Sequence, residues 1–362
     1  MSRLRFAAIL DSGYVTRGLV LHESLQEVTR DVSLDVVCMD AEARALLEQL
    51  DLEGVGVIDI GELEAYDPAL VEVRPERSVA EYCWTAKPSL CRFLFDRHPE
   101  TETVVYVDAD LMFFADPMLV LEELRGRSVL VVPHRSSPEE DWEEVLGVYN
   151  AGFVAFQRSP QASAVLEWWR ERCLEWCFER VEPGRYCDQK YLDEWPNRFS
   201  GVRELNHVGG GLAPWNASRY TLSRNEGKVY VDGTVPLVFF HFQSLRVYRG
   251  MAARLSRLGL LPGRYRSVPE RRALAWSVWT SYHVSSEFER LVYAPYVRRL
   301  AAAAERVAAL GEPLDRTFTR LGARRMIGEA ARSCVRRPAR AVVRWGRSLP
   351  GRRAPRPSRR LP

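Results

Sequence analysis

The chain has 362 residues, 46% of them hydrophobic and 27% charged. That is enough for two or three domains, or one large α/β domain with an appendage, and it excludes a wholly disordered, collagenous or disulfide-scaffold protein. A net charge of +3 hides an asymmetry: residues 297–362 hold 18 Arg against 4 acids, while residues 1–296 hold 33 basic against 44 acidic side chains. Only three residues are Lys (87, 190 and 228), a skew that GC-rich codon usage can produce, so Arg abundance carries no functional weight by itself. No apolar run reaches the ~18 residues of a membrane span. The start, MSRLRFAAILDSGYV, is too short in apolar residues for a secretory signal. Seven cysteines, an odd number with no Cys-x-x-Cys, indicate neither a disulfide framework nor a zinc site; Cys173 and Cys177 read as buried thiols. A cytoplasmic, reducing setting is expected.

The first hundred residues alternate strand-like and helical runs: LRFAAIL (4–10), a helix after Gly13, LDVVCM (34–39), a helix around AEARALLEQL (41–50), then VGVIDI (55–60). This is the rhythm of an α/β fold, a mostly parallel central sheet flanked by helices. Residues 79–98 are helical in period on both sides of Pro88, which is expected to kink or divide them. TVVYVDADLMFFADP (103–117) reads as a buried strand ending in two acids, followed by a second apolar segment. SVLVVPH (128–134) and YNAGFVAFQ (149–157) read as strands, residues 162–180 as a helix, and VPLVFFHFQ (235–243) as a last central strand. Three parts are expected: an α/β domain over 1–250, a helical extension over 251–336, and a disordered tail over 337–362 with nine Arg, five Pro and no acid.

The most informative stretch is Asp108-Ala109-Asp110, directly after the apolar VVYV and before LMFF. In extended backbone, residues i and i+2 share a face, so both carboxylates reach one place at the strand's C-terminal end. Two like charges that close repel and lose solvation, and a hard divalent cation relieves both. A cation there also carries a nucleotide diphosphate and neutralises it as it leaves. A bare Asp-x-Asp also occurs in solvated turns.

The run Tyr106–Pro117 resembles the metal-binding segment of GT-A fold glycosyltransferases, in which an Asp-x-Asp holds manganese and the sugar-nucleotide pyrophosphate. Over about residues 4–245 the chain is similar to glycosyltransferase family 8 and its bacterial relatives. AILDSGYVTRGLVLHESL, the segment around Lys87 and Arg92, YVDADLMFF, YNAGFVAF, CDQKYLDEW, LAPWN and FFHF stand in the family's order. The resemblance implies that Asp11 and Tyr14 hold the nucleoside, in the loop after the first strand where open parallel sheets bind ligands. It places Asp108, Ala109 and Asp110 against the donor diphosphate and makes Asp108, Asp110 and His241 the ligands of Mn2+ or Mg2+. Lys87 and Arg92 then clamp the sugar or diphosphate, and Asn150, before the small Ala151 and Gly152, bonds sugar hydroxyls. Asp188 and Gln189 lie beneath the anomeric carbon, where they stabilise an oxocarbenium-like transition state. In the loop Gly209–Asn216, Gly211, Trp215 and Asn216 form a sugar platform for the acceptor. Two departures stand out: Lys190 replaces an acid, and Gln243–Arg246 replaces the family's Lys-Pro-Trp, so Arg246 is expected to take over the diphosphate contact.

Each residue also has a structural reading. The first loop is a plain βα turn, Lys87 and Arg92 a solvated helix face, Asp188 a helix cap, His241 a core histidine, and Trp215 a side chain tucked inward. His22, His98, His134, His207 and His283 have no usable partner spacing.

The expectation is therefore a metal-dependent, retaining glycosyltransferase that takes a nucleotide-diphosphate sugar, a UDP-sugar foremost, to a glycan or lipid-linked acceptor. One alternative is an inactive glycan-binding or scaffold protein on the same fold. Another is a haloacid-dehalogenase-like phosphatase, disfavoured because Met112-Phe113 stand where its Thr belongs. Leu300, Val307, Leu310, Leu314, Phe318 and Leu321 recur at helical spacing. The acid-bearing part of this segment is expected to pack on the body. The part from Arg324 onward, with Glu329 its one acid, is assigned to an anionic membrane surface. Nucleic acid is disfavoured because aromatic stacking residues are nearly absent there.

Overall fold

The structure, a computed structural model, describes residues 4–30, 33–140, 142–258, 260–261, 265–268, 271–278, 282–311 and 318–319. Strand β1 (Leu4–Leu10), helix α1 (Val15–Val28), β2 (Leu34–Cys38), α2 (Ala41–Leu50) and β3 (Val55–Asp59) form the expected parallel unit. The β1 and β2 runs are almost wholly buried, as strands covered on both faces must be. Asp40 caps α2 by accepting from the Ala43 N–H at 2.7 Å, and its other oxygen accepts from the Ser12 backbone and hydroxyl at 3.0 Å each. One acid thus fixes both the helix start and the loop after β1.

Helix α3 (Val79–Arg97) begins in a capping box of Ser78 and Glu81 and runs past Pro88 as a single helix. The expected division is absent. Tyr82, Ala86, Leu90, Cys91 and Leu94 form one buried stripe against the sheet and α4 (Pro160–Glu175), and that burial exceeds the ~3 kcal/mol that an interior proline costs. Helix α4 stops at Glu175, short of the expected 180, and Cys177 lies beyond it. The six described cysteines are unpaired thiols, Cys173 and Cys177 fully buried.

Strands β4 (Thr103–Val107), β6 (Val129–Pro133), β7 (Tyr149–Gln157) and β8 (Val202–Glu204) complete a seven-stranded sheet in the order β3-β2-β1-β4-β7-β6-β8. Only β7 runs against its neighbours. The chain leaves β1 toward β2 and returns from β3 to β4 on β1's other side, so β1 and β4 flank a topological switch point, where open α/β sheets bind ligands.

The segment 235–243 is not a central strand. Short β5 (Leu111–Phe113) follows the Asp-x-Asp. A separate three-stranded antiparallel sheet takes in β9 (Leu222–Asn225), β10 (Lys228–Val231) and β11 (Val235–Pro236). Pro236 lacks a ladder N–H and ends that pairing. The chain then turns to β12 (Phe239–His241), which pairs antiparallel with β5: Phe239 with Phe113, Phe240 with Met112, His241 with Leu111.

The extension expected to be helical from 251 is partly β. Strands β13 (Arg246–Arg249), β14 (Arg266–Val268) and β15 (Arg271–Ser277) form an antiparallel sheet in the order β13-β15-β14, with α5 (Met251–Arg257) between the first two in sequence. Helix α6 (Ala294–Ala309) then packs on the body as expected: Leu300 and Val307 join the main core, Arg299 grips Glu27 at 2.7 and 2.6 Å, and Arg306 pairs with Glu23. Phe318 also reaches that core, whereas Leu314, Leu321 and the basic tail lie outside the described residues. No helix of the described residues is long and apolar enough to cross a membrane.

Candidate active site

Asp108 and Asp110 turn the chain from β4 into β5, with the Leu111 N–H donating to the Asp108 carbonyl at 3.2 Å. Because β12 pairs with β5, the Phe242 N–H donates to the Asp110 carbonyl at 2.9 Å, and the His241 ring is delivered beside the acids. His241 Nε2 lies 3.1 Å from Asp110 Oδ1 and 3.8 Å from Asp108 Oδ2. One ligand atom from each of the three residues falls within 4.8 Å of the others. Burial alone would raise the Asp110 carboxyl, but the charge and hydrogen bond of His241 hold it below the ordinary carboxylate range. Burial likewise disfavours the imidazolium of His241, and Asp110 and then Asp108 reverse this and raise it.

Strand β7 forms the opposite wall. The Asp108 N–H donates to the Gly152 carbonyl at 2.9 Å, and Asn150 Oδ1 accepts from the Gly152 N–H at 2.9 Å. A Cβ at Gly152 would stand 2.7 Å from Asn150 Oδ1, 2.7 Å from His241 Cε1 and 2.8 Å from Asp108 Oδ2. Only glycine allows these three side chains to converge.

Behind them Lys87 is buried in α3. Its Nζ is 3.2 Å from Asp108 Oδ1, 3.0 Å from Asp188 Oδ2 and 3.2 Å from the Ala151 carbonyl, and it lies over the Tyr106 ring. Burial opposes its charge, and the two carboxylates overcome this and raise its pKa, so it stays an ammonium. The Tyr106 hydroxyl donates to the same Asp108 Oδ1 at 3.0 Å. Asp108 is thereby divided, Oδ1 facing Lys87 and Tyr106 and Oδ2 facing His241. Asp188 is itself buried, which pushes its carboxyl upward against the pull of Lys87. It follows Cys187, a non-glycine residue at φ +47, a sparsely populated conformation of the kind that concentrates at functional sites.

Of the remaining expected residues, Tyr14 lies near enough for desolvation of its hydroxyl and the charge of Asp110, with Asp11 and Asp108, to push that hydroxyl up to about 12; others do not join the cluster. Tyr14 is exposed at the mouth of the β1 loop under the Arg17 guanidinium, 4.6 Å from its ring, and Asp11 begins that loop. Ala109 is buried between the two acids. Arg92 is not part of the cluster, because its guanidinium pairs with Glu167 of α4 at 2.9 Å. Gln189 turns its amide to the Leu146 carbonyl at 2.9 Å, and Arg246 is exposed on β13.

The expected acceptor platform is mostly internal. Gly211 has φ +87, and a Cβ there would meet Val132 at 2.3 Å. Trp215 is buried, donates to the His134 carbonyl at 3.0 Å and packs edge-on against both His134 and His241. Asn216, expected to bond a hydroxyl, spends its amide on backbone: it donates to the His134 and Gly211 carbonyls at 2.8 and 2.9 Å and accepts from the Ala213 N–H at 2.9 Å. Its role is to shape the loop.

Sequence reasoning passed over His134. Its Nδ1–H donates to the Gly147 carbonyl at 2.8 Å, and Nε2 faces Asn150 Nδ2 at 3.4 Å. Burial lowers its pKa to about 4, so the ring is neutral and Nε2 accepts. The one available signal was its place at the end of the strand SVLVVPH.

No protein-family model matches the chain. In sequence it is similar to two proteins of Bacillus subtilis (strain 168). The uncharacterized protein YfnF is 31% identical over 249 residues, covering 67% of this chain and 82% of that one. The uncharacterized protein YfnD is 33% identical over 245 residues, covering 67% and 78%. In structure it is similar to the galactosyltransferase LgtC, solved in complex with donor and acceptor sugar analogs, at 16% identity and TM-score 0.43 over 66% of this chain and 87% of that one. Mouse xyloside xylosyltransferase 1 gives 14% identity and TM-score 0.39 over 66% and 97%. At TM-scores below 0.5 these structural likenesses carry no functional argument.

Proposed function

The chain belongs to one family with YfnF and YfnD, and since neither name carries an activity, we propose one from the site itself: a metal-dependent glycosyltransferase of GT-A type. It moves a sugar from a nucleotide-diphosphate donor, a UDP-sugar foremost, to a saccharide or lipid-linked saccharide. The observation that carries this reading is the convergence of Asp108, Asp110 and His241 at the C-terminal end of β4, beside the switch point, with the Lys87–Asp188 pair behind them.

Two carboxylates and an imidazole, partly open to solvent and cleared by Gly152, fit a divalent cation such as Mn2+ or Mg2+. Such an ion, when bound, supplies positive charge that neutralises the diphosphate as it leaves. Asp108 Oδ2, Asp110 and His241 would hold it. Lys87 and Tyr106 restrain the other oxygen of Asp108, so that this carboxylate is oriented before any ligand arrives. Asp188 would stabilise positive charge developing at the anomeric carbon, and retention of configuration rests on the likeness of Asp188-Gln189 to the order of the resembled family. Gln189 serves it indirectly, by tying this segment to Leu146. Asn150 keeps one N–H for a sugar hydroxyl while Gly152 and His134 fix its orientation. Asp11 and Tyr14 take the nucleoside, and Arg246 a diphosphate oxygen.

The test is a panel of nucleotide sugars offered to the full chain with and without Mn2+, followed by release of nucleoside diphosphate. Release that needs both one donor and the ion is expected. Full activity in EDTA-treated protein, or none with any donor, overturns the reading. NMR of the new linkage checks the stereochemistry separately, and an inverted product removes retention alone.

A further inference from the structure

We infer that α5, with Leu258 and Leu260 beyond its end, is a docking face for an anionic lipid surface. Helix α5 turns Ala252 and Ala253 inward, where both are buried, and exposes Met251 to 56%; just past its end Leu258 is 64% and Leu260 38% exposed. Leu258 is the most exposed large hydrophobic side chain among the described residues. Arg254 and Arg257 are exposed beside them. From Arg246 through Arg266 the sequence holds six Arg and no acid, in a body whose first 296 residues are acidic overall. Exposed apolar side chains interleaved with guanidinium groups are a poor surface for water and a complementary one for a bilayer. There the apolar chains enter the acyl boundary and the cations meet anionic headgroups.

A second, independent observation points to the same face. The Thr319 N–H donates to the Val247 carbonyl at 2.7 Å, and Phe318 lies under Arg249, whose guanidinium is 4.6 Å from the ring centre. The chain therefore enters its basic tail at β13, the strand that leads directly into α5. Residues 320–362 hold 14 Arg and one acid, so by charge they do not complement this patch, and an anionic surface does. A two-fold contact between copies would bring the same arginines face to face. Nucleic acid is disfavoured because no aromatic side chain is exposed among the described residues 251–261. None of this depends on the chemistry proposed for the site.

The experiment is sedimentation of the full chain with vesicles of phosphatidylcholine alone and of phosphatidylcholine with phosphatidylglycerol, at low and high salt. Salt-sensitive binding to the anionic vesicles only is expected. Each basic residue near the surface contributes ~1 kcal/mol, so Arg254→Gln with Arg257→Gln should weaken binding by about 30-fold. Met251→Ser with Leu258→Ser should weaken it with every charge retained. All four side chains are exposed, so both variants should keep the wild-type circular dichroism and melting transition. Wild-type binding by both variants would assign the interaction to the tail and overturn the inference. So would failure of the full chain to bind either vesicle, or capture by duplex DNA in preference to vesicles.

Discussion

Lys87 and Asp188 form an ion pair with 3.0 Å between Nζ and Oδ2, both side chains almost wholly out of solvent. Neither charge has water to fall back on. Lys87→Met should therefore cost about 3–5 kcal/mol, because it strands two carboxylates, Asp188 and Asp108. Adding Asp188→Asn should return part of that loss. Urea denaturation of the two variants checks this, and a Lys87→Met protein as stable as wild type would show the pair to be solvated.

Gly152→Ala should uncouple the metal centre from the fold. The added carbon meets Asn150, His241 and Asp108 at 2.7–2.8 Å, and overpacking of this kind costs about 1–3 kcal/mol. Calorimetric titration with Mn2+ should show at least about tenfold weaker binding, as expected for a displaced ligand set, while circular dichroism stays native. Wild-type Mn2+ affinity would remove these ligands from consideration.

His134 gives the protein a pH dependence of known sign. Its folded pKa is about 4 against an ordinary 6.5, so below pH 6.5 the unfolded chain takes up a proton that the folded chain refuses. Its contribution is complete above pH 6.5 and is lost as pH falls toward 4, by about 3 kcal/mol in all. Denaturation midpoints across that window should fall more steeply for wild type than for His134→Gln. Parallel curves would mean that the ring protonates in place.

Asn216→Ala separates a loop-shaping role from an acceptor contact. Removing the amide orphans the Gly211 carbonyl and the Ala213 N–H, at about 1–3 kcal/mol per buried group. The melting temperature should drop, and where transfer is measurable the KM for acceptor should change little. Unchanged stability with a raised acceptor KM would restore Asn216 to the acceptor.

Continuous apolar runs for the strands and period-3.6 patterns for the helices made the first five elements legible, since strands buried on both faces do not alternate. Asp108, Asp110 and His241 were legible too, each standing at the end of an apolar run. What sequence could not show was pairing: VPLVFFHFQ has the composition of a central strand, and only tertiary contact decides that Phe239–His241 zips onto Leu111–Phe113 instead. Arg92 and Asn216 looked like ligand residues because their chemistry suits one. Glu167, the His134 and Gly211 carbonyls and the Ala213 N–H claimed them first. His134 was missed because a lone histidine has no spacing to read.

The β5–β12 pairing also ties the site to contacts far apart in the chain. Asp108 and His241 are 133 positions apart, and closing so long a loop is entropically costly and slow. The N-terminal βαβαβ unit is built from near neighbours in sequence and holds none of the three residues. A chain still lacking β12 has two repelling acids and no imidazole to offset them. A cation held by these three residues would therefore need the completed topology, and would stabilise the finished fold over any form that lacks β12.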